Sequence, residues 1–358
     1  MDLQPIIVQR LLKHRRILKM ETLKLDAIAD YENSINVASE ILNGGGIVAV
    51  PTETVYGLAA SAYNDDAIKS IFAAKGRPQD NPLIVHISNL DMLSDIACDI
   101  PDVAYQCARA FWPGPFTMVL PKGDKIAESV SGGLKTVAVR FPSDKTICDI
   151  IEKSGLPLAA PSANTSGKPS PTTAAHVIDD LDGKINAVVI GGDCMVGVES
   201  TVVSLVGEKP RLLRPGAVTP EQLRAILPEL IVDDAVLEKL KDGVAAASPG
   251  MKYKHYAPNT TAFLVEGCSN SFVSFVNSKE NAAAICFEEE YYNVNVPKMS
   301  YGSKRDESTL AQNVFSCLRD IDSLNVKEVY IHAPSKDGVG LAVYNRLIRA
   351  CGFEVIKL

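Results

Sequence analysis

Residues 73–86 read AAKGRPQDNPLIVH, which sets Lys75, Arg77, Asn81 and His86 around one glycine and two prolines. Singly, each has an ordinary structural account. A lysine near a helix C-terminus complements the helix dipole, Gly76 can end that helix, Arg77 can be solvated and Asn81 can serve a turn. His86 can be a satisfied core histidine. Together, two cations and an amide just upstream of an apolar strand suit an anionic ligand at a strand–loop boundary. In the strand expected over 82–88, Leu83, Val85 and Ile87 share one face, Ile84 and His86 the other. An imidazole in so apolar a strand needs a partner or marks the edge of a site.

Other polar groups also follow apolar runs. PTETVYG brings Thr52, Glu53, Thr54 and Tyr56 after GIVAV, and VAVRFP puts Arg140 inside an apolar strand. A buried, unpaired guanidinium is costly, so Arg140 is expected to face an anion. AAPSANTSGKPSPT (159–172) sets Ser162, Asn164, Ser166 and Ser170 among Gly and Pro, a composition that can expose backbone N–H groups as an anion nest. It is not a Walker A loop, because Lys168 precedes a proline and the first glycine is missing. VGVESTVV adds Glu199, Ser200 and Thr201, and LLRPGA adds Arg214. No serine stands in G-x-S-x-G and no cysteine is expected among the polar segments, so covalent catalysis has little support. No H-E-x-x-H or paired-cysteine spacing occurs, and no metal held by protein side chains is expected. A nucleotide ligand would bring Mg2+ with its phosphates.

The elements that must position these groups alternate between strand and helix. Helices are expected at 32–45, 65–78 and 174–181, and strands at 46–52, 81–88, 116–122, 135–142, 156–162, 186–192 and 200–207. RLLRPGAVT follows, then a helix opening at TPEQLRAIL with Thr219 as N-cap. A charged helix, DDAVLEKLKDG, leads into the small-residue, Pro- and Gly-bearing connector AAASPGMKYKHYAP. Beyond it the alternation restarts, which predicts a small three-layer α/β domain on a parallel sheet. It carries no G-x-G-x-x-G fingerprint, so a dinucleotide reading is unsupported.

Composition bounds the partners. The 358 residues are 46% hydrophobic and 22% charged, with a formal net charge of −7, and the chain is long enough for two domains. No basic surplus marks non-specific nucleic-acid binding. The eight cysteines fall mostly in apolar runs, as free thiols do in a reducing compartment, so a cytoplasmic location is expected. No apolar run approaches membrane-spanning length. Residues 1–20, rich in Arg and Lys, read as a short N-terminal extension.

PTETVYGL, KGRPQDNPLIVH, WPGPFT, VAVRFP, APSANTSGKPSPT, GVESTVV and LLRPGA, in this order, resemble the YrdC-like family. SPGMKYKHYAP and the second α/β domain resemble its long two-domain form, the L-threonylcarbamoyladenylate synthases. The resemblance implies a YrdC-like twisted mixed sheet with helices around a large cavity, plus a smaller C-terminal Rossmann-like α/β domain. The expected division is 1–20 extension, 21–227 catalytic domain, 228–260 connector folding over the site and 261–358 C-terminal domain. The implied reaction joins L-threonine, bicarbonate or CO2 and ATP into threonylcarbamoyl-AMP and pyrophosphate. That is the first step of N6-threonylcarbamoylation at adenosine 37 of ANN-decoding tRNAs, completed by a partner transferase complex. Mg2+ would come with ATP, and no organic cofactor is implied.

Carried onto this chain, L-threonine falls to Thr54, His86, Arg140 and Ser200. ATP falls to Lys75, Arg77, Asn81, Thr136, Ala160, Ser162, Ser170, Arg214 and Tyr253. Lys75 and Arg77 would stabilise charge in the reaction, with no covalent nucleophile. A weak RNA contact is compatible with the family, and the alternative reading is a double-stranded-RNA-binding ribosome-assembly factor of the same fold.

Overall fold

The computed structural model describes residues 21–239 and 255–358. The N-terminal extension and most of the connector, Tyr253 included, lie outside the described residues. The first domain runs β1 (Leu23–Asp26), α1 (Tyr31–Asn43), β2 (Val48–Val50), β3 (Gly57–Ser61), α2 (Asp65–Lys75), β4 (Ile84–His86) and α3 (Asp102–Phe111). It continues through β5 (Phe116–Pro121), β6 (Thr136–Arg140), α4 (Lys145–Ser154), β7 (Leu158–Ala159), α5 (Ala174–Leu181) and β8 (Ala187–Ile190). β9 (Thr201–Ser204), β10 (Arg211–Arg214), α6 (Pro220–Arg224) and β11 (Ile231–Val232) complete it. The strands form one eleven-stranded sheet in the order β1-β8-β2-β3-β7-β4-β6-β5-β9-β10-β11, with parallel and antiparallel pairs mixed.

The expected boundary after residue 227 falls short of this sheet, because β11 pairs in parallel with β10 and carries it to Val232. The helix expected over DDAVLEKLKDG is also corrected. Its described start is a single 3-10 turn, Asp234–Val236, capped by the Asp233 side chain.

Capping chemistry explains the helix ends near the site. Asn64 accepts N–H bonds from Asp66 and Ala67 at the start of α2, and Gly76 closes the helix in the left-handed region at φ 62°. Arg77 leaves that turn with its own N–H on the Phe72 carbonyl at 3.0 Å. Thr219 and Gln222 form a reciprocal capping box on α6.

In the second domain β12 (Thr261–Glu266), α7 (Ser269–Asn277), β13 (Ala282–Cys286), β14 (Lys298–Ser300), α8 (Glu307–Asp320), β15 (Glu328–His332), α9 (Gly340–Ala350) and β16 (Val355–Lys357) follow in turn. Its five strands are ordered β14-β13-β15-β12-β16, and every pair is parallel, as the alternation predicts. The main core of the first domain packs Val85, Ile87, Met118, Leu120, Val139, Val203 and Leu212 against its helices. Val55 and Val198 of the first domain belong instead to the apolar cluster of the second, beside Tyr256, Val314 and Phe315. The two domains therefore share packed interior rather than a solvated seam.

Candidate active site

Strand register assembles the site. His86 on β4 pairs with Arg140 on β6, Arg140 with Thr117 on β5, Thr117 with Val202 on β9, and Val202 with Arg214 on β10. Directly paired residues share a face of the sheet, so these side chains form one transverse row across five neighbouring strands. The ladder shifts register between Leu212 and Arg214, and the irregularity brings Arg214 into the row. On the same face Ile84, Val119, Ala138 and Val202 form a small apolar floor. Their alternate neighbours Val85, Met118, Val139 and Val203 go to the main core on the other face. The predicted partition of strand 82–88, with His86 and Ile84 together, is what the structure has.

Above the floor lies a cleft. Thr54, Arg77, His86, Arg140, Ala160, Ser162, Ser200 and Arg214 line it, joined by Asn164, Glu199, His255 and Tyr256. The Ser162 loop is held over it by backbone pairing with the start of β3. Gly57 bridges Ser162, Leu58 N–H donates to the Pro161 carbonyl at 2.7 Å, and Ala163 N–H to the Tyr56 carbonyl at 2.8 Å.

Arg140 is buried and already partnered. It meets Glu53 at 2.7 Å and donates to Thr54 Oγ1 at 2.8 Å and to the Gly114 carbonyl at 3.3 Å. A guanidinium has five N–H groups, so capacity remains for a substrate anion. Burial alone raises the Glu53 carboxyl, but the Arg140 guanidinium outweighs it and holds the group below its ordinary value. Burial, reinforced by Arg140, lowers the His86 imidazole to about 3, so it stands neutral with Nδ1 3.2 Å from the Ile84 carbonyl. Arg214 donates to the Ser200 carbonyl at 3.0 Å and to Ser200 Oγ at 3.1 Å, and Ser200 Oγ also meets Thr117 Oγ1 at 2.7 Å. Burial brings both Arg214 and Arg77 down to about 10, and each of the two feels other cations. Arg77 reaches the Asn81 and Pro82 carbonyls at 3.3 Å, while its Nε and the Asn81 Oδ1 have no hydrogen-bond partner among the described residues.

Four expected residues stand off the cleft wall. Lys75 is drawn into the loop it was expected to flank: its ammonium donates to the carbonyls of Ser162 and Asn164, the latter at 2.6 Å. Burial, with Arg77 nearby, drives its pKa well below the ordinary lysine value. Its position makes it a brace for the Ser162 loop. Asn81 is buried beneath Arg77. Thr136 sits at the other end of β6 from Arg140, opposite Pro121. Ser170 lies behind the wall, with its hydroxyl on Glu199.

A cysteine does approach the polar segments, contrary to expectation. Cys194 is buried, with its N–H on the Thr172 carbonyl at 3.0 Å, but burial pushes its thiol up to about 12, so it is no thiolate nucleophile. Among the described residues no group of three His, Cys, Asp or Glu side chains is disposed to hold a metal ion. The arrangement can bind an extended anion beside a small polar molecule, between guanidiniums, hydroxyls and a neutral imidazole. It offers no activated nucleophile.

Sequence reasoning did not single out Thr117, which reads as one more strand threonine, or Arg346 of the second domain, which reaches the rear of the site through Glu199 at 2.7 Å.

A family model described as "Telomere recombination", covering Sua5, YciO and YrdC, matches residues 40–216. A second, "Threonylcarbamoyl-AMP synthase, C-terminal domain", matches residues 218–352. A threonylcarbamoyl-AMP synthase of Pyrococcus abyssi is 43% identical over 336 residues, 91% of this chain and 96% of its own length. One of Bacillus subtilis is 41% identical over 339 residues, 93% of this chain and 97% of its own. The crystal structure of P. abyssi Sua5 complexed with L-threonine superposes with a TM-score of 0.86 at 39% identity, covering 94% of this chain and 99% of that one.

Proposed function

The chain belongs to the threonylcarbamoyl-AMP synthase family in its two-domain form, and from that premise we propose that it converts L-threonine, bicarbonate and ATP into L-threonylcarbamoyl-AMP, pyrophosphate and water. The observation that carries the reading is the convergence of His86, Arg140, Ser200 and Arg214 in one cleft of a fold matched by a structure solved with L-threonine. The double-stranded-RNA alternative has no comparable support.

In this reading the threonine carboxylate takes the free N–H groups of Arg140, and Thr54, Ser200 and neutral His86 surround the rest of the amino acid. The amine adds to CO2 released from bicarbonate and loses a proton, giving an N-carboxylate. One of its oxygens forms a bond to the α-phosphorus of ATP while the bond to the pyrophosphate oxygen breaks. Arg77 and Arg214, with the Ser162 loop, face the phosphates and offset the charge that develops there. Mg2+ enters as part of the ATP substrate. The protein contributes alignment and water exclusion, and alignment of two reactants is worth about 7–11 kcal/mol in well-oriented cases. His255 and Tyr256, the described end of the connector, line the cleft, which supports a connector that folds over the site; Tyr253 remains an expected ATP contact.

The first domain would thus be catalytic, and the product would pass to a tRNA threonylcarbamoyl-transferase complex, with at most weak contact to the RNA itself. No described helix is long and apolar enough to cross a membrane, and a cytoplasmic site of action fits the eight free thiols.

The test is incubation of the purified protein with MgATP, bicarbonate and labelled threonine. Pyrophosphate and a threonine-bearing adenylate should appear together, and both should vanish without bicarbonate. Serine lacks one methyl, which on the apolar floor beside Ile84 is worth about 1–3 kcal/mol, so its kcat/KM should be about 10- to 200-fold lower. Equal kinetics for the two amino acids would refute the pocket assignment.

A further inference from the structure

One side chain of the second domain, Arg346, reaches the rear of the cleft. Arg346 on α9 is fully buried, and its Nε donates to Glu199 Oε2 at 2.7 Å. Nη2 donates to the Glu199 carbonyl at 3.1 Å and Nη1 to the Pro215 carbonyl at 2.9 Å. Glu199 immediately precedes Ser200, and Pro215 immediately follows Arg214. A single planar fork therefore ties together the two loop ends whose side chains meet in the Arg214–Ser200 hydrogen bond at 3.1 Å. Glu199 also lines the cleft, where Arg214 is the next cation acting on its carboxylate after Arg346.

We propose that Arg346 is a positioning residue for the reaction: working through Glu199 and Pro215, it holds Ser200 and Arg214 at the spacing the substrates require and keeps the Glu199 carboxylate from capturing Arg214. The proposal rests on the function argued above for the identity of the substrates. Arg346 touches neither of them. Without it, a buried carboxylate keeps the Ser170 hydroxyl but is left with Arg214 as the next cation acting on it, and that guanidinium is withdrawn from the cleft. The second domain is then a working part of the binding site as well as packing for the connector.

The experiment uses the full-length chain with the substitutions Arg346→Gln, Arg346→Lys, the pair Glu199→Gln with Arg346→Gln, and Arg349→Gln. Arg349 lies on the same helix and grips the Ala235 and Val236 carbonyls, so its loss loosens the domain contact without touching residues 199 or 215. Steady-state KM and kcat are measured for L-threonine and ATP, with the melting temperature of each variant. Arg346→Gln should raise both KM values about ten-fold, the scale of one charge-assisted hydrogen bond, with a smaller fall in kcat. Arg346→Lys should lie between it and wild type. The double variant should recover most of the KM loss, because the unmatched carboxylate is gone. Arg349→Gln should lower the melting temperature while raising KM far less than Arg346→Gln does.

KM is independent of the fraction folded, and if Arg346→Gln yields no folded protein, Arg346→Lys and the double variant carry the same comparison. An Arg346→Gln KM within two-fold of wild type, a double variant no better than the single, or an equal rise in Arg349→Gln would each overturn the role of Arg346 alone. Wild-type protein that neither turns over nor binds threonine would overturn the functional reading beneath it.

Discussion

His86 shows how a polar side chain in an apolar strand is read and what the reading leaves open. Burial and the neighbouring Arg140 keep it neutral down to about pH 3, whereas in the unfolded chain it takes a proton near 6.5. Between those values the unfolded state binds more protons, so His86 contributes stability that is complete above pH 6.5 and lost as pH falls. At pH 5 the loss from this residue is about 2 kcal/mol. The urea midpoint of the wild type should therefore be lower at pH 5 than at pH 7, and that difference should shrink in His86→Gln. Part of the slope should persist, because His255, lowered to about 4 chiefly by burial, works in the same direction. Arg140, Ser200 and Arg214 were legible for the same reason as His86, each interrupting or flanking an apolar run. Lys75 misled because local pattern does not say which way an ammonium turns, and here the loop carbonyls claim it. Arg346 was out of reach of any local pattern, since its partner Glu199 is 147 residues away.

At the scale of elements, the site depends on five strands keeping a common register and on the irregularity in β10. Gly216 is the tightest point of that construction. A Cβ there would stand 2.4 Å from the Thr201 backbone nitrogen and 2.7 Å from Thr201 Oγ1, and backbone cannot move aside as a flexible side chain would. Gly216→Ala should cost about 1–3 kcal/mol, read as a lower melting temperature, and should raise the substrate KM by displacing Ser200. A variant with wild-type stability and KM would show that the β9–β10 junction tolerates movement. Most strands and the helices α1, α2, α5 and α6 were legible from apolar runs, caps and glycine stops. α3 and α4 were passed over, although Asp144 caps α4 and Ile147, Ile150 and Ile151 mark its buried face. Strand order was not legible, because pairing such as β3 with β7 joins segments roughly a hundred residues apart, and periodicity carries no information about partners.

Across the whole molecule, the second domain closes a core that includes Val55 and Val198 and supplies the rear support of the cleft. The division into two α/β units was legible from the break in alternation around the connector. Their shared interior was not, because valines at 55 and 198 look like any others. Within the cleft, Arg77, Arg140 and Arg214 converge, and Arg214 is pushed down in pKa partly by Arg140 while itself acting on Arg77. These like charges repel one another, and a polyanion bound between them relieves that repulsion. Thermal denaturation then becomes a gauge of occupancy. Pyrophosphate at a hundred times its dissociation constant should stabilise the native state by about 2.7 kcal/mol, raising the melting point where chloride of equal ionic strength does not.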